Sequence, residues 1–493
     1  MYLLGYDIGS SSIKAALVNA DTGIKELVVQ RPGSEMAINA PETGWAEQHP
    51  DTWWRHVCEA TRDLLHQSGI NSREIKAIGI AYQMHGLVML DQDGDVLRPS
   101  IIWCDSRAVE TGQVAFDTLG HKECLFHLLN SPGNFTASKL GWVKANEPDI
   151  YSECSKIMLP GDYIAYKLSG EIQTTATGLS EGVFWDFQSN QPSEMLLDYF
   201  GMEKNILADI VPCIGLQAKV SSLAAKETGL SEGTPISYRA GDQPNNAMSL
   251  NVLEPGEVAA TGGTSGVVYG VVDKPVFDTA SRVNGFAHVN HTNEKTRIGI
   301  LLCINGAGIQ YSWMRKMIAP GVPYADLEKK ASSVDIGSDG LCVIPFGNGA
   351  ERIFENADLG SHLCHLQLNR HRQEHLIRAT LEGIAFAFVY GTDILKEMHL
   401  DTSVIRVGND NLFQSEIFSQ TISTLTNARI TMIDTTGAAG AALAAGVGIG
   451  HFSGFKEAMA HLKIVKEINP DTGNEHAYRQ AYASWKQSLD KLL

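Results

Sequence analysis

At 493 residues the chain is too long for one hydrophobic core, which predicts two to four domains. Apolar residues make up 44% and charged residues 19%, the balance of an ordinary globular protein. The 39 basic and 56 acidic residues leave a net charge of −17, which argues against nucleic-acid or anionic-membrane partners, so any phosphate has to be held locally.

The chain opens without a basic region ahead of an apolar stretch and without a cleavage-like site, which predicts a cytoplasmic protein with no secretory leader. Residues 6–18, YDIGSSSIKAALV, place a Gly- and Ser-rich turn between two runs of small and β-branched residues, so they read as strand, tight loop and strand. Asp21-Thr22-Gly23 makes a further turn, and residues 24–30 return as a third strand. Residues 50–67 carry helical apolar spacing through Trp54, Val57, Cys58, Thr61, Leu64 and Leu65, with Pro50 and Asp51 as start signals. Residues 75–90 are almost continuously apolar and predict a buried strand pair, interrupted by Gln83-Met84-His85-Gly86. From Pro235 the pattern restarts: an apolar approach, a loop AGDQPNN, a helix-like run of small residues, and a second Gly-rich hairpin at 258–271, VAATGGTSGVVYGV. This restart places a domain boundary near residues 240–250, giving domains of 1–245 and 246–493. Beyond it come a strand at 298–303, a loop at 305–308, a helix at 309–318 and a helix at 373–390 with Leu376, Thr380, Gly383, Ile384, Ala387 and Tyr390 on one face. Strands and helices in repeated succession predict an α/β fold. The low-polarity run 437–450 is shorter than the roughly 20 residues a bilayer requires, and its Gly and Ala suit close helix packing.

The two hairpin loops form a pair, one in each half. Glycine lets the backbone approach a ligand, and Ser or Thr hydroxyls add donors, so each loop suits phosphate oxygens. Asp7 stands directly before the first loop, where a carboxylate beside phosphate needs an intervening cation such as Mg²⁺; a turn-initiating Asp is the alternative. Lys14 is either a phosphate partner or a solvated strand residue. Asp242 is a candidate base for deprotonating an alcohol, or a helix cap supported by Pro244. Gln83 and His85 place polar groups in an apolar run, where a polyol would satisfy them and a plain bend is the alternative. Asp91, Asp93 and Asp95 do not make a calcium loop, since glycine falls at the fourth position, and they read as a turn. His362, Cys364, His365, His371 and His375 match no zinc spacing. The eight cysteines contain no C-x-x-C pair and read as reduced, packed thiols.

With these features in sequence order, the motifs DIGSSSIK, GWAEQHPDTWW, QMHG, IIWCDSR, LPGDYI, AGDQPNNA, ATGGTSG, NGAGIQ and GAAGAALAAG resemble the FGGY carbohydrate kinases of the actin-like ATPase superfamily. Within that family they are most similar to the members that phosphorylate xylulose. The resemblance implies two ribonuclease-H-like domains about a central cleft, with sugar deep on the first and ATP across the second. It implies Asp242 as catalytic base and Gln83, Met84, His85, Trp103, Asp105 and Gln243 around the sugar. For ATP it implies Ser11, Ser12 and Lys14 in the first loop, Gly263 and Thr264 in the second, Gly306 and Gln310 at a nucleotide-contacting turn, and Gly408 and Asn409 at the start of the adenosine motif. Asp7 would bind Mg²⁺, directly or through water. A homodimer is compatible with this picture. Three departures stand out: Gly408-Asn409-Asp410-Asn411-Leu412 replaces a Gly-Gly-Gly-Ala-Arg-Ser type run, GAERIF lacks the Thr-Pro that commonly follows Glu-Arg, and Asp242 is followed by Gln-Pro rather than Asn-Ala. Relatives that use glycerol commonly carry Arg-Glu where Met84-His85 stands, which argues against glycerol. Ribulose, a deoxyketose, gluconate and a non-catalytic ATP-binding module are the remaining alternatives.

Overall fold

The computed structural model describes residues 1–400 and 402–493, built around two large mixed sheets. The first contains β1 (Tyr2–Ile8), β2 (Ile13–Asn19), β3 (Lys25–Arg31), β4 (Ile75–Tyr82), β5 (Ile214–Lys219) and β6 (Pro235–Gly241), in the order β5-β6-β4-β1-β2-β3. The second contains β7 (Val258–Gly262), β8 (Gly266–Val272), β9 (Asn284–Ala287), β10 (Ile298–Ile304), β11 (Val404–Gly408), β12 (Arg429–Asp434) and β13 (Lys463–Ile468), in the order β9-β10-β8-β7-β11-β12-β13.

These orders superimpose. Each sheet centres on an antiparallel hairpin, β1–β2 or β7–β8. Each adds two parallel strands beside the hairpin, β4 then β6, or β11 then β12. Each closes on an antiparallel edge strand, β5 or β13, and carries an antiparallel third strand, β3 or β10, on the other side. The duplication suspected from two loops therefore extends through the backbone, where many combinations of Val, Ile, Ala and Gly satisfy the same pairing.

Seven helices position the cleft: α1 (Pro50–Ser68), α2 (Thr136–Asn146), α3 (Ala176–Glu181), α4 (Asp242–Ser249), α5 (Gly308–Ile318), α6 (Gln373–Glu397) and α7 (Gly437–Gly448). α1 begins where predicted, with His49 accepting from the Asp51 amide, and Gly69 closes it in the left-handed region. Its apolar face, including Trp53, Val57 and Leu64, packs on β2 and β3. α7 follows β12 in the second sheet but lies across β1 and β4 of the first. Its nearly side-chain-free surface allows this: a Cβ on Gly5 would sit 1.8 Å from the Ala438 carbonyl oxygen. α4, the counterpart that follows β6, packs against α7.

Three expectations change. Residues 75–90 do not form a strand pair, because β4 is already flanked by β1 and β6; Val88–Leu90 instead pairs with Lys156–Met158. AGDQPNN is no loop, since helix α4 starts at Asp242. The helix predicted over 373–390 runs on to Glu397, there being no glycine or proline to stop it after Gly391.

Candidate active site

Asp7 lies near the end of β1, directly opposite Lys14 on β2. β6 delivers Asp242 to the first position of α4, where helix amide groups favour a negative charge. α7 starts at the same place. A Cβ on Gly437 would lie 2.8 Å from Asn246 Oδ1 and 3.2 Å from Asp7 Oδ2, so only glycine leaves these side chains their present room. Burial pushes the Asp7 carboxyl above its usual range, with Lys14 opposing the shift. Burial, and then the Asp7 charge, push Asp242 up to about 7. Two carboxyls that resist joint ionisation are an oxygen donor set suited to a divalent cation. Among the described residues no three His, Cys, Asp or Glu side chains cluster as a metal site. Mg²⁺ fits such a donor set, since it is commonly held by one or two carboxylates plus substrate phosphate and water.

Gln83, just beyond β4, donates its backbone N–H to the Ile8 carbonyl at 2.8 Å. Its amide is buried, and among the described residues neither amide atom has a partner. His85 turns the chain with φ of 63°. Its Nδ1–H donates to the Glu181 carbonyl at 2.8 Å, which leaves Nε2 as an acceptor. Burial, with help from nearby Lys139, lowers the ring to about 3 and keeps it neutral. Lys139 Nζ in turn donates to the carbonyls of His85 at 2.8 Å and Ile102 at 3.0 Å. The imidazole meets Phe135 edge-on at 4.7 Å and Phe286 of β9 at 5.5 Å, so it stands where the two halves meet. Met84 is buried beside it.

Trp103 is about half exposed and donates Nε1–H to Ser10 Oγ at 3.1 Å, tying its segment to the first loop. Asp105 is fully buried, and its carboxylate accepts from the Ala46 amide at 2.6 Å and from Arg107 at 2.7 Å. That carboxylate is saturated by protein donors, so Asp105 anchors the Trp103 segment from behind. Gln243 is half-buried next to Asp242 on α4.

The second loop caps α5. Gly308 and Ile309 donate their amides to the carbonyls of Gly263 and Thr264, both at 3.0 Å. Beside this junction a cavity of about 650 Å³ is walled by Gly263, Thr264, Tyr311, Tyr324, Glu328 and residues 410–412, among others. Gly408 and Asn409 are not in its wall; β11 ends at Gly408, and the chain reaches the cavity two residues later. Gly306 and Gln310 also stand outside it: the Gly306 amide donates to Glu351 at 3.0 Å, and Gln310 is buried. Ser11, Ser12 and Lys14 belong to the first hairpin, next to Asp7 and away from this wall. The Met36 amide holds that hairpin through the Ser11 carbonyl at 2.8 Å.

Sequence reasoning missed Glu181, Lys139, Tyr324 and Glu328. Glu181 and Lys139 had a signal: each is a lone charge inside an apolar stretch, GLSEGVFW and TASKLGW. The five-membered His and Cys group resolves into local contacts, such as His362 Nε2 with the Leu359 carbonyl and His371 Nδ1 with the Gln367 amide.

Residues 2–249 match the family described as FGGY family of carbohydrate kinases, N-terminal domain. The chain is 26% identical over 501 residues to the xylulose kinase of Bacillus subtilis, covering 98% of this chain and 96% of that one. Its fold superimposes on the xylulose kinase of Rhodospirillum rubrum with a TM-score of 0.89 at 24% identity, over 100% of this chain and 99% of the other. It superimposes equally on the gluconate kinase of Lactobacillus acidophilus, at TM-score 0.88 and 21% identity over 100% and 98% of the two chains, so the fold does not choose the sugar. No described helix is long and apolar enough to cross a membrane. A duplicated sheet, a carboxylate pair at the meeting of two helices and a cavity beside a Gly-Thr loop thus accompany the match: the chain belongs to the FGGY family of carbohydrate kinases, enzymes that transfer phosphate from ATP to a sugar.

Proposed function

We propose that the protein phosphorylates D-xylulose to D-xylulose 5-phosphate, with residues 1–245 holding the sugar and residues 246–493 holding ATP. The observation that carries this reading is Asp242, pushed to about 7 at the start of α4, beside a turn whose Gln83 amide has no partner among the described residues and whose His85 keeps Nε2 as an acceptor. Full-length similarity to xylulose kinases supports the choice of sugar.

In this reading Gln83 and His85 take sugar hydroxyls, and Met84 packs against the carbon chain. Asp242 accepts the proton of the terminal hydroxyl as that oxygen bonds to the γ-phosphorus and the bond to ADP breaks. Lys14 and the two loops face charge on the moving phosphoryl group. Asp7 would hold Mg²⁺, directly or through water, and the ion would supply charge neutralisation of the phosphates when bound. Closure of the two halves would exclude water and restrain ATP hydrolysis. The cysteines, none disulfide-bonded among the described residues, suit a cytoplasmic enzyme.

The test is ADP release with Mg²⁺ across a panel of xylulose, ribulose, a deoxyketose, gluconate and glycerol. Release that depends on added xylulose and exceeds that with the other sugars is expected. Release unaffected by any sugar would overturn the kinase reading, and preference for another sugar would overturn the assignment to xylulose.

A further inference from the structure

Glu181 closes α3 and has no part in the mechanism above. It is 2% exposed, and among the described residues its Oε1 has no hydrogen-bond partner and its carboxylate forms no ion pair. A Cβ on Gly241 would lie 2.1 Å from Glu181 Oε2 and 2.6 Å from Met84 Cγ, so the carboxyl stands against the residue preceding Asp242 and beside the 83–86 turn. Its own carbonyl fixes the His85 ring. The adjoining Ser180 Oγ accepts the Ala287 amide at 2.8 Å, which ties this end of α3 to the second sheet.

Burial first, then Asp242 and Asp162, push the Glu181 carboxyl well above its usual range, with the Tyr82 hydroxyl and the His85 backbone N–H opposing the shift. Arg239, the cation on that side, is paired with Asp162 at 3.0 Å. Arg352 acts on His85 and Cys303. Among the described residues Oε1 has no hydrogen-bond partner, which is unfavourable until a ligand completes it, and the Gln83 amide, likewise without a partner among them, lies in the turn beside it.

We propose that Glu181 is a specificity-determining residue that hydrogen-bonds a hydroxyl of the sugar. This rests on the sugar-kinase reading given above. A hydroxyl can donate to the ionised carboxyl or accept from the protonated one, so it is tolerated in both states.

The experiment measures kcat and KM for D-xylulose with wild type, Glu181→Gln and Glu181→Ala, alongside thermal unfolding and affinity for a fluorescent ATP analogue. Glu181→Ala should raise KM for xylulose at least about tenfold while kcat moves less, and Glu181→Gln, which keeps a donor and an acceptor in the same place, should stay closer to wild type. Both should leave nucleotide affinity unchanged. A series of deoxy-xyluloses on wild type gives a reading that needs no variant to fold: removal of one hydroxyl should reproduce the KM of Glu181→Ala. A KM within twofold of wild type in folded Glu181→Ala, or deoxy sugars all bound like xylulose, would overturn the role of Glu181 and leave the kinase reading standing. Wild type inactive on every sugar would overturn that reading itself.

Discussion

Helices α4 and α7 follow equivalent strands in equivalent sheets and begin within contact of each other, yet they open differently. α7 starts with Gly437 behind Thr436, whose side chain caps the helix by accepting the Ala439 amide. α4 starts with Asp242 behind Gly241, which offers no capping side chain. One half thus satisfies its helix end internally and presents bare backbone. The other leaves its helix end to a carboxylate facing the cleft. Duplication supplies two matching positions, and the chemistry lies where the copies diverge.

Removing the divergent residue should have the largest effect. Asp242→Asn should lower kcat about 10³-fold in a coupled ADP assay, the scale of a lost general base, with nucleotide affinity retained. The same change should affect stability in the opposite direction. Asp242 is pushed up to about 7 by burial and by Asp7, so the fold favours its protonated form. Wild type therefore loses stability as pH rises from the ordinary carboxylate range through about 7, and the Asn variant does not. In Mg²⁺-free buffer at pH 8 the variant should be the more stable, by an amount on the order of 1 kcal/mol after solvent screening.

Glu351 in the second half sharpens the contrast, because burial pushes it up to about 7 as well. Its carboxylate already accepts the amides of Asn305 at 2.9 Å and Gly306 at 3.0 Å, so it supports a turn and awaits no substrate. Its ordinary value is 4.5, hence stability is fully present below that pH and is lost as pH rises through about 7. The shift corresponds to about 3 kcal/mol. Glu351→Gln should abolish most of this pH dependence in thermal unfolding between pH 5 and 8, with kcat reduced far less than in Asp242→Asn. Equal losses of kcat in the two variants would break the distinction between the halves.

The copies also differ in how their history shows in the sequence. Both hairpins were legible because a Gly- and Ser/Thr-rich turn between β-branched runs has few other readings. The sheets were not, because β4 and β11, or β6 and β12, need only be apolar to pair and share no required side chain. Asp242 and residues 83–86 stood out as polar groups in apolar approaches. The wall at Tyr324 and Glu328 did not, since it is assembled from segments far from the second loop in sequence. Gly408 and Asn409, read as the start of the adenosine motif, end β11 two residues before the cavity wall begins at Asp410, because motif order locates a strand end without fixing which turn residue faces the cavity.

The loops themselves invite a paired test. A Cβ on Gly308 would fall 2.2 Å from the Gly263 carbonyl oxygen, a backbone atom that cannot move aside without shifting the second loop. A Cβ on Gly9 would meet the Ser12 carbonyl oxygen at 3.0 Å, which a small adjustment relieves. Gly308→Ala should therefore raise KM for ATP about tenfold and destabilise by about 1–3 kcal/mol, and Gly9→Ala should do much less of both. Calorimetry and steady-state kinetics on the two variants check the ordering.

The smallest effect belongs to Trp103. Its ring is about half exposed, and its hydrogen bond to Ser10 Oγ at 3.1 Å is open to water, which competes for the same partner. Trp103→Phe keeps an aromatic face at the cleft mouth and removes only that bond, so kcat/KM for xylulose should fall about two- to threefold with no change in thermal stability. Trp103→Ala removes the face too, and it should raise KM for the sugar more than KM for ATP, because the residue is tied to the first loop and does not line the cavity beside the second. An equal rise in both constants would mean that the first loop, and with it Asp7 and Lys14, moves when this tether is cut.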